Sequence, residues 1–362
     1  MAHAAQASMR LDWVDLAKGI SIILVVMMHS AFGVGQATGE IGVLHWAIAW
    51  ATPFRMPEFF LIAGLFLSAV IGRDWPRYAD RRVVHYLYFY LVWAVIHITF
   101  KFALGAYGAG QAAGYLAFAL VEPYGVLWFI YMLAVVSAAA KLLHQLKVPH
   151  WAALAFAAAL QIAPIHTGLY VLDQFCEFFV FFYAGYALAP AIFRLTEWAA
   201  RRPVFAVLAL GLWAAINTVL VFSPGHTVLP TETHAGLAGL PGIHLAAAIA
   251  GAFAICVLSA LLARLPAFNW LRWLGARSLI VYLAFALPMA VGRELLIRLG
   301  LIGDASALSL AVLAIAVVSP LILEQLIRIT GFGKFLFERP AWAHLPGTPG
   351  ARAPSAIKIP AE

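Results

Sequence analysis

Charged residues are scarce in this sequence. Only 11% of its 362 residues are Asp, Glu, Lys or Arg, whereas 64% are hydrophobic. An average soluble domain carries about 25% charged residues, so this composition excludes a water-soluble globule. Apolar runs of about 18 residues or more recur along the whole chain, which indicates many membrane spans rather than one anchor. We therefore predict an all-α, polytopic transmembrane bundle of about ten helices in contact with the lipid bilayer.

Cysteine is nearly absent as well. The two cysteines, Cys176 and Cys256, both fall within apolar segments. This pattern indicates neither a disulfide framework nor a thiolate metal site, and we expect no bound metal.

The first apolar run contains Lys18 near its start, and no convincing small-x-small cleavage site follows it. We expect this run to be retained as the first helix rather than removed as a signal peptide.

The basic residues decide the expected orientation of the spans. The expected spans are 14–34, 43–70, 83–103, 124–142, 150–165, 174–193, 203–222, 242–263, 278–297 and 306–327. With a cytoplasmic N-terminus, all but four of the 23 Lys and Arg residues fall on the cytoplasmic side; the four are Arg55, Lys101, Arg293 and Arg298. The positive-inside rule therefore predicts a multi-pass protein of the bacterial inner membrane with both termini in the cytoplasm. It also accounts for the net charge of +7 without nucleic acid as a partner.

The chain is predicted to form one membrane domain with short flanking segments. Residues 1–13 are expected to be a cytoplasmic N-terminal segment, and residues 14–339 the membrane domain. Residues 340–362 are rich in Pro, Ala and Gly. This composition is typical of a disordered segment, and we expect a cytoplasmic tail there.

The first span carries ionisable residues that hydrocarbon disfavours. Lys18 and His29 are eleven residues apart, which at about 100° per residue places both side chains on the same face of a helix. The rise of a helix separates them by about 16 Å along its axis. Such a face could bind an elongated anionic ligand, with its phosphate end at Lys18 and its reactive end at His29. The alternative is that Lys18 reaches the headgroups beside Asp15 while His29 hydrogen-bonds across helices.

The second span is long and contains two prolines, Pro53 and Pro57, so we predict a kink or break near its middle. Arg55 and Glu58 lie three residues apart in it and could pair on one face, for structural or functional reasons. Glu177, in the sixth span, is a further ionisable group in an apolar segment. Such groups are rare in membranes and are candidates for a functional site, although a contact within the bundle would also explain them.

Together these segments resemble the membrane-bound acyltransferase-3 family, which includes sugar O-acetyltransferases and succinyltransferases of periplasmic glucans. The most specific similarity is a basic residue followed eleven positions later by a histidine, here Lys18 and His29. Further similar stretches are the aromatic-rich run at 59–64, the arginine-rich loop at 77–82, the Trp-Phe pair at 128–129, and residues 275–283 around Tyr282. Two features differ. Ala284 and Phe285 stand where many members have a histidine, and we expect no appended esterase-like domain.

The resemblance implies an integral membrane O-acyltransferase that moves an acyl group, with acetyl as the first expectation, from cytoplasmic acyl-CoA to a hydroxyl of a periplasmic carbohydrate or glycolipid. Acyl-CoA would be a co-substrate, with no cofactor permanently bound. His29 would be the catalytic base or nucleophile. The acyl donor would be bound by basic and acidic residues near the cytoplasmic surface, namely Lys18, Asp15, Arg77, Arg81 and Arg82. The acceptor cavity would be shaped by Arg55, Glu58, Trp128, Glu177 and Tyr282.

Three alternatives stay open on the sequence alone. A glucan succinyltransferase would need a cation near the distal carboxylate of the acyl group, which Arg55 could supply. A transporter or flippase of an anionic or sugar-linked solute would use Arg55, Glu58 and Glu177 along its path. A non-enzymatic membrane partner is the third alternative, because of the missing late histidine.

Overall fold

The computed structural model describes residues 2–351, with side chains from residue 12 onward. Almost all of its regular structure is helical, which confirms the predicted all-α class. In chain order the α-helices are α1 (Ala2–Thr38), α2 (Val43–Ala51), α3 (Arg55–Gly64), α4 (Ser68–Ile71), α5 (Trp75–Ala79), α6 (His85–Ala103), α7 (Ala109–Phe118), α8 (Trp128–Gln145), α9 (His150–Ile162), α10 (Tyr170–Ala187), α11 (Ala189–Arg201), α12 (Pro203–Val221), α13 (Ile243–Leu262), α14 (Asn269–Gly275), α15 (Ser278–Ala284), α16 (Ala286–Arg298) and α17 (Ala305–Thr330).

Short irregular elements connect these helices. A π-helical stretch, Asp80–Val84, joins α5 to α6. Two strands, β1 (Thr227–Val228) and β2 (Thr233–His234), form an antiparallel hairpin in which Thr227 pairs with His234. The 3₁₀ segments are Gly125–Leu127, Leu237–Gly239, Pro266–Phe268, Lys334–Leu336 and Ala341–Ala343.

Six helical segments of the described chain are long and apolar enough to cross a membrane, and the number rises to eight if two bent helix pairs each form one span. The pairs are α10 with α11, bent by 73°, and α15 with α16, bent by 57°. The chain is therefore a multi-pass membrane protein. The other two expected spans are the residues of α2 to α4, which are broken, and α9, which has 13 residues. The number of about ten spans stays a prediction.

Prolines explain two of the interruptions. Helix α2 ends at Ala51 and α3 begins at Arg55, with Pro53 in the turn between them. Proline has no N–H to donate along a helix, and this produces the predicted break in the second span. Pro288, near the start of α16, similarly cannot donate to the carbonyl of Ala284, where α15 ends. Phe285 therefore lies at the bend between these two helices.

The described chain divides into two compact units. The first comprises Met1–Leu67 and Val148–Gln325, and the second comprises Ser68–Lys147 and Leu326–Glu362. In the first unit α1 packs against α3, α13 and α14, and α3 packs against α10. In the second unit α6 packs against α7, α8 and the π-helical stretch. The single membrane domain of residues 14–339 stays a prediction.

Glycines allow the closest helix crossings of the first unit. A Cβ on Gly64 would collide with the carbonyl oxygen of Phe182, and a Cβ on Gly185 with that of Leu61. The crossing of α3 and α10 therefore requires glycine on both helices. Glycine and other small residues are common at membrane helix interfaces, because they let backbones approach closely. This crossing fixes the position of α3, which carries Arg55 and Glu58.

The described part of the predicted tail makes defined contacts. Residues 340–351 contain the 3₁₀ segment Ala341–Ala343, and the backbone N–H of Leu345 donates to Oδ1 of Asp80 at 2.8 Å. Residues 352–362 lie outside the described residues, and a disordered tail stays a prediction for them. The side chains of the predicted N-terminal segment 1–13 are described only at Asp12 and Trp13.

Candidate functional site

Helix α1 carries both residues of the most specific sequence motif. It is continuous through Lys18 and His29, so the two residues stand about 16 Å apart along one helix axis. Lys18 Nζ donates to Oδ1 of Asp15 at 3.1 Å, and both side chains are about one-third exposed. This is the contact that the alternative structural interpretation of Lys18 expected. It leaves Lys18 accessible to a further anionic group.

His29 is half-buried and lies against the bend between α15 and α16. Its ring centroid is 5.4 Å from that of Phe285. His29 also lies within electrostatic range of Arg55 on α3. His29 thus lies against the bent helix pair and within the electrostatic influence of Arg55, although these residues are far apart in the sequence.

Arg55 and Glu58 do not form the salt bridge that their spacing would allow. Within residues 12–351 no ion pair joins them, and Oε1 of Glu58 and the Nε and Nη1 atoms of Arg55 are buried without a hydrogen-bond partner. Glu58 is completely buried and instead accepts a hydrogen bond from the hydroxyl of Ser21 on α1. The pairing fails because Glu58 faces α1, which supplies a different partner. Arg55 keeps two N–H donors without a protein acceptor in the described chain.

Sequence reasoning missed two polar residues that make contacts at α1. Ser21 lies eight residues before His29, which on a helix is about 80° away around the axis. The sequence signal that could have identified Ser21 is its polar side chain within an otherwise apolar span. The second is Arg293 on α16, whose Nη1 donates to the carbonyl oxygen of Gly33 at 3.0 Å. Gly33 lies one helical turn beyond His29, so Arg293 adds a second arginine along this face.

Two further predicted residues belong to the first unit. Tyr282 is buried on α15, which packs against α1. Glu177 on α10 is half-buried and precedes Phe178, whose ring stacks on that of Phe60 with 5.0 Å between centroids. Helix α15 contacts α1, the helix of His29, and α10 contacts α3, the helix of Arg55.

The predicted arginine cluster lies in the second unit. Arg77 is exposed on α5 and its Nε lies 3.6 Å from Oδ1 of Asp74. Arg81 is exposed and Arg82 half-buried in the π-helical stretch, where Arg82 donates to the hydroxyl of Tyr86 at 3.2 Å. π-helical turns occur frequently at functional sites. The three arginines therefore form a basic surface around one irregular turn.

Trp128 begins α8 in the same unit, and its ring lies edge-on to Phe129 with 6.3 Å between centroids.

A separate apolar groove of about 360 Å³ lies between α12 and α13 in the first unit and is lined by Trp213, Asn217 and Ile243 among others. None of the predicted site residues lines this groove. Among the described residues no group of three His, Cys, Asp or Glu side chains could hold a metal ion.

Comparison with protein families gives one match. The acyltransferase domain of the acyltransferase-3 family matches residues 11–325 of the 362. The chain belongs to the acyltransferase-3 family. It is therefore a membrane acyltransferase. No curated protein and no solved structure matches the chain.

All predicted site residues of this acyltransferase, from Asp15 to Tyr282, lie within the matched residues. The structure gathers His29, Arg55, Glu58 and Tyr282 on packed helices of the first unit. It keeps Arg77, Arg81 and Arg82 together in the second unit. Their individual roles stay predictions.

Proposed function

We propose that this acyltransferase moves an acetyl group from cytoplasmic acyl-CoA to a hydroxyl of a carbohydrate or glycolipid on the periplasmic face of the bacterial inner membrane. The observation that carries the proposal is the surroundings of His29. This half-buried histidine lies within electrostatic range of Arg55, whose Nε and Nη1 have no protein acceptor among the described residues. A base beside an oxyanion donor is what acyl transfer requires.

His29 acts as the general base in this proposal. Its neutral imidazole accepts the proton of the acceptor hydroxyl as that oxygen attacks the thioester carbonyl carbon. The C–S bond then breaks, and the imidazolium returns the proton to the departing coenzyme A thiolate. The acyl group ends as an ester on the acceptor. In the alternative scheme the imidazole nitrogen attacks the thioester carbonyl carbon and expels the coenzyme A thiolate, and the acceptor hydroxyl then attacks the acyl-histidine, breaking its C–N bond and passing its proton to the thiolate.

Arg55 supplies electrostatic stabilisation in the same scheme. Negative charge develops on the carbonyl oxygen as the tetrahedral intermediate forms, and N–H donors held in a water-poor site stabilise that charge. Nε and Nη1 of Arg55 lack a protein acceptor among the described residues, so they can donate to a substrate without breaking an existing contact. Glu58 and Ser21 hold α3 against α1, which positions Arg55.

We propose that basic side chains bind the phosphates of the acyl donor. Coenzyme A carries phosphates that arginine binds by charge-assisted hydrogen bonds. The exposed Arg77 and Arg81, with Arg82 beside them, are the proposed phosphate ligands, and Lys18 with Asp15 is proposed to contact the donor near the cytoplasmic surface. Tyr282, Trp128 and Glu177 are proposed to shape the acceptor cavity.

Transfer of a succinyl group to a periplasmic glucan is the second candidate. Nε and Nη1 of Arg55, which have no protein acceptor among the described residues, can each donate to a carboxylate as well as to an oxyanion, because the guanidinium group is a charged donor to both. The choice of acyl donor therefore decides between the two candidates.

The experiment measures release of free coenzyme A thiol by the purified protein in detergent, given acetyl-CoA or succinyl-CoA with a panel of sugars. We expect acceptor-dependent thiol release with acetyl-CoA, lost in His29→Ala. His244→Ala is the matched control. His244 is another histidine at a membrane helix, and its Nδ1 contacts Gln161 Nε2 at 2.9 Å.

Retained activity in His29→Ala would remove His29 from the chemistry. Equal loss in His244→Ala would show that the loss reflects damage to the helix bundle. Thiol release with succinyl-CoA alone would favour the second candidate. No turnover of either donor would contradict both.

A further inference from the structure

The arginine-rich turn, residues 77–82, contains one acidic residue, Asp80. Both carboxylate oxygens of Asp80 contact residues of the C-terminal segment. Arg339 donates from Nη1 to the backbone carbonyl of Asp80 at 2.7 Å and from Nη2 to its Oδ2 at 2.6 Å. Oδ1 of Asp80 accepts from the backbone N–H of Leu345 at 2.8 Å. Both charged side chains are almost fully buried, at 4% and 6% exposure.

His344 completes this cluster. Its Nδ1 lies 3.0 Å from Oδ2 of Asp80 and 2.7 Å from Nη2 of Arg339. Both oxygens of Asp80 are thus occupied by groups that follow residue 325, where the family match ends. The contacts to Asp80 come from a part of the chain that the family domain does not include.

The segment 334–345 is held along α6 by aromatic residues of the second unit. The hydroxyl of Tyr88 donates to the carbonyl of Phe335 at 3.0 Å, and Nε1 of Trp93 donates to the carbonyl of Leu336 at 3.1 Å. The ring of Trp342 lies edge-on to Tyr88, with 6.1 Å between centroids. These contacts fix the segment before it reaches Asp80.

The charges of this turn explain why such a contact matters. Asp80 immediately precedes Arg81 and Arg82 and follows Arg77 by three residues. An anion at this position attracts the neighbouring arginines and repels an incoming phosphate. Arg339 cancels that charge from the buried side, while Arg77 and Arg81 stay exposed. The turn then presents an excess of positive charge.

We propose that Arg339 is a positioning residue of the acyl-donor site, which neutralises Asp80 and so leaves the arginine-rich turn able to bind the phosphates of the donor. This proposal rests on the proposed function, because it assumes that the turn binds acyl-CoA. Arg339 itself touches no substrate in the proposal. Arg339 therefore affects only the binding of the phosphates at the nucleotide end of the donor.

The test compares two donors in four variants. Acetyl-CoA carries the nucleotide phosphates, and acetyl-pantetheine lacks them. In Arg339→Gln, we expect KM for acetyl-CoA to rise by about tenfold, since an uncompensated Asp80 repels the phosphates, while KM for acetyl-pantetheine stays unchanged. In the double variant Asp80→Asn with Arg339→Gln, KM for acetyl-CoA should return to within about threefold of the wild-type value, because no charge is left unpaired.

Arg339→Lys and Arg201→Gln are the further variants. Arg339→Lys keeps the charge and should keep KM for acetyl-CoA close to the wild-type value. Arg201 is an exposed arginine whose Nη2 lies 3.9 Å from Glu197, and Arg201→Gln should leave KM unchanged. If Arg339→Gln does not accumulate as folded protein, the double variant and Arg339→Lys still test the proposal.

A KM that stays raised in the double variant would overturn the proposal and show that Arg339 acts only by holding the segment. Equal effects of Arg339→Gln on both donors would overturn it too. These results differ from failure of the proposed function, which would appear in the wild-type protein as no turnover of acetyl-CoA.

Discussion

The hydroxyl of Ser21 donates a hydrogen bond to Glu58 and thereby joins α1 to α3 inside the first unit. Both residues are completely buried. The hydroxyl also lies 2.8 Å from the carbonyl oxygen of Ala17, and a hydroxyl has one proton, so it donates to one of these oxygens at a time. This contact connects the helix of His29 with the helix of Arg55.

Ser21→Ala should destabilise the protein. The substitution leaves Oε2 of the buried Glu58 without its partner, while Oε1 already has none among the described residues. A buried polar group that loses its partner costs about 1–3 kcal/mol. We expect a lower Tm for Ser21→Ala in detergent, measured by thermal unfolding.

Ser259→Ala is the matched control for this prediction. Ser259 is also completely buried, but within the described residues its hydroxyl has no hydrogen-bond partner. Removal of an unpartnered hydroxyl should therefore leave Tm unchanged or raise it. Equal destabilisation by both substitutions would contradict a specific role of the Ser21 contact.

Arg55→Gln should lower kcat while leaving KM for acetyl-CoA nearly unchanged. Negative charge on the carbonyl oxygen exists only near the transition state, so a group that stabilises it contributes to turnover rather than to ground-state binding. Loss of one such donor group lowers kcat by about 10²–10³-fold. Steady-state kinetics with acetyl-CoA measures both constants.

Arg298→Gln serves as the control for Arg55→Gln. Arg298 is 76% exposed and pairs with Glu294 at 2.6 Å, so its loss should leave kcat unchanged. If Arg55→Gln raised KM and kept kcat, Arg55 would bind the ground state of a substrate instead. A rise confined to KM for succinyl-CoA would favour the succinyltransferase candidate.

Cysteine labelling tests the predicted orientation. Thr231 and Gly72 are exposed, Thr231 in the loop 223–241 that is predicted to be periplasmic and Gly72 in a loop that is predicted to be cytoplasmic. In a Cys176→Ser background, where the remaining Cys256 is buried, we expect an impermeant maleimide to label Thr231→Cys in intact spheroplasts. Gly72→Cys should be labelled only after the membrane is permeabilised.

The reverse labelling pattern would place both termini outside the cytoplasm. It would also remove the physical basis for a cytoplasmic acyl donor at Arg77, Arg81 and Arg82. Labelling of both cysteines in intact spheroplasts would show that the membrane was not sealed, and Gly72→Cys is therefore its own control for leakage.

The second span shows how far sequence reasoning extends at the candidate site. Pro53 and Pro57 predicted an interruption, and α2 does end at Ala51 before α3 begins at Arg55. The three-residue spacing of Arg55 and Glu58 allowed a salt bridge, but spacing on one helix does not report what the facing helix offers. Ser21 on α1 offers a hydrogen bond, and Glu58 takes it.

The sequence by itself determined the class of the protein, because 64% hydrophobic residues can be accommodated only by many apolar helices. It also determined the shared face of Lys18 and His29, which follows from helix geometry alone. Only the tertiary structure decided which groups from distant segments meet, such as Phe285 with His29 and Arg339 with Asp80. Contacts of this kind depend on how helices pack, and the periodicity of one segment carries no information about the residue that lies opposite it.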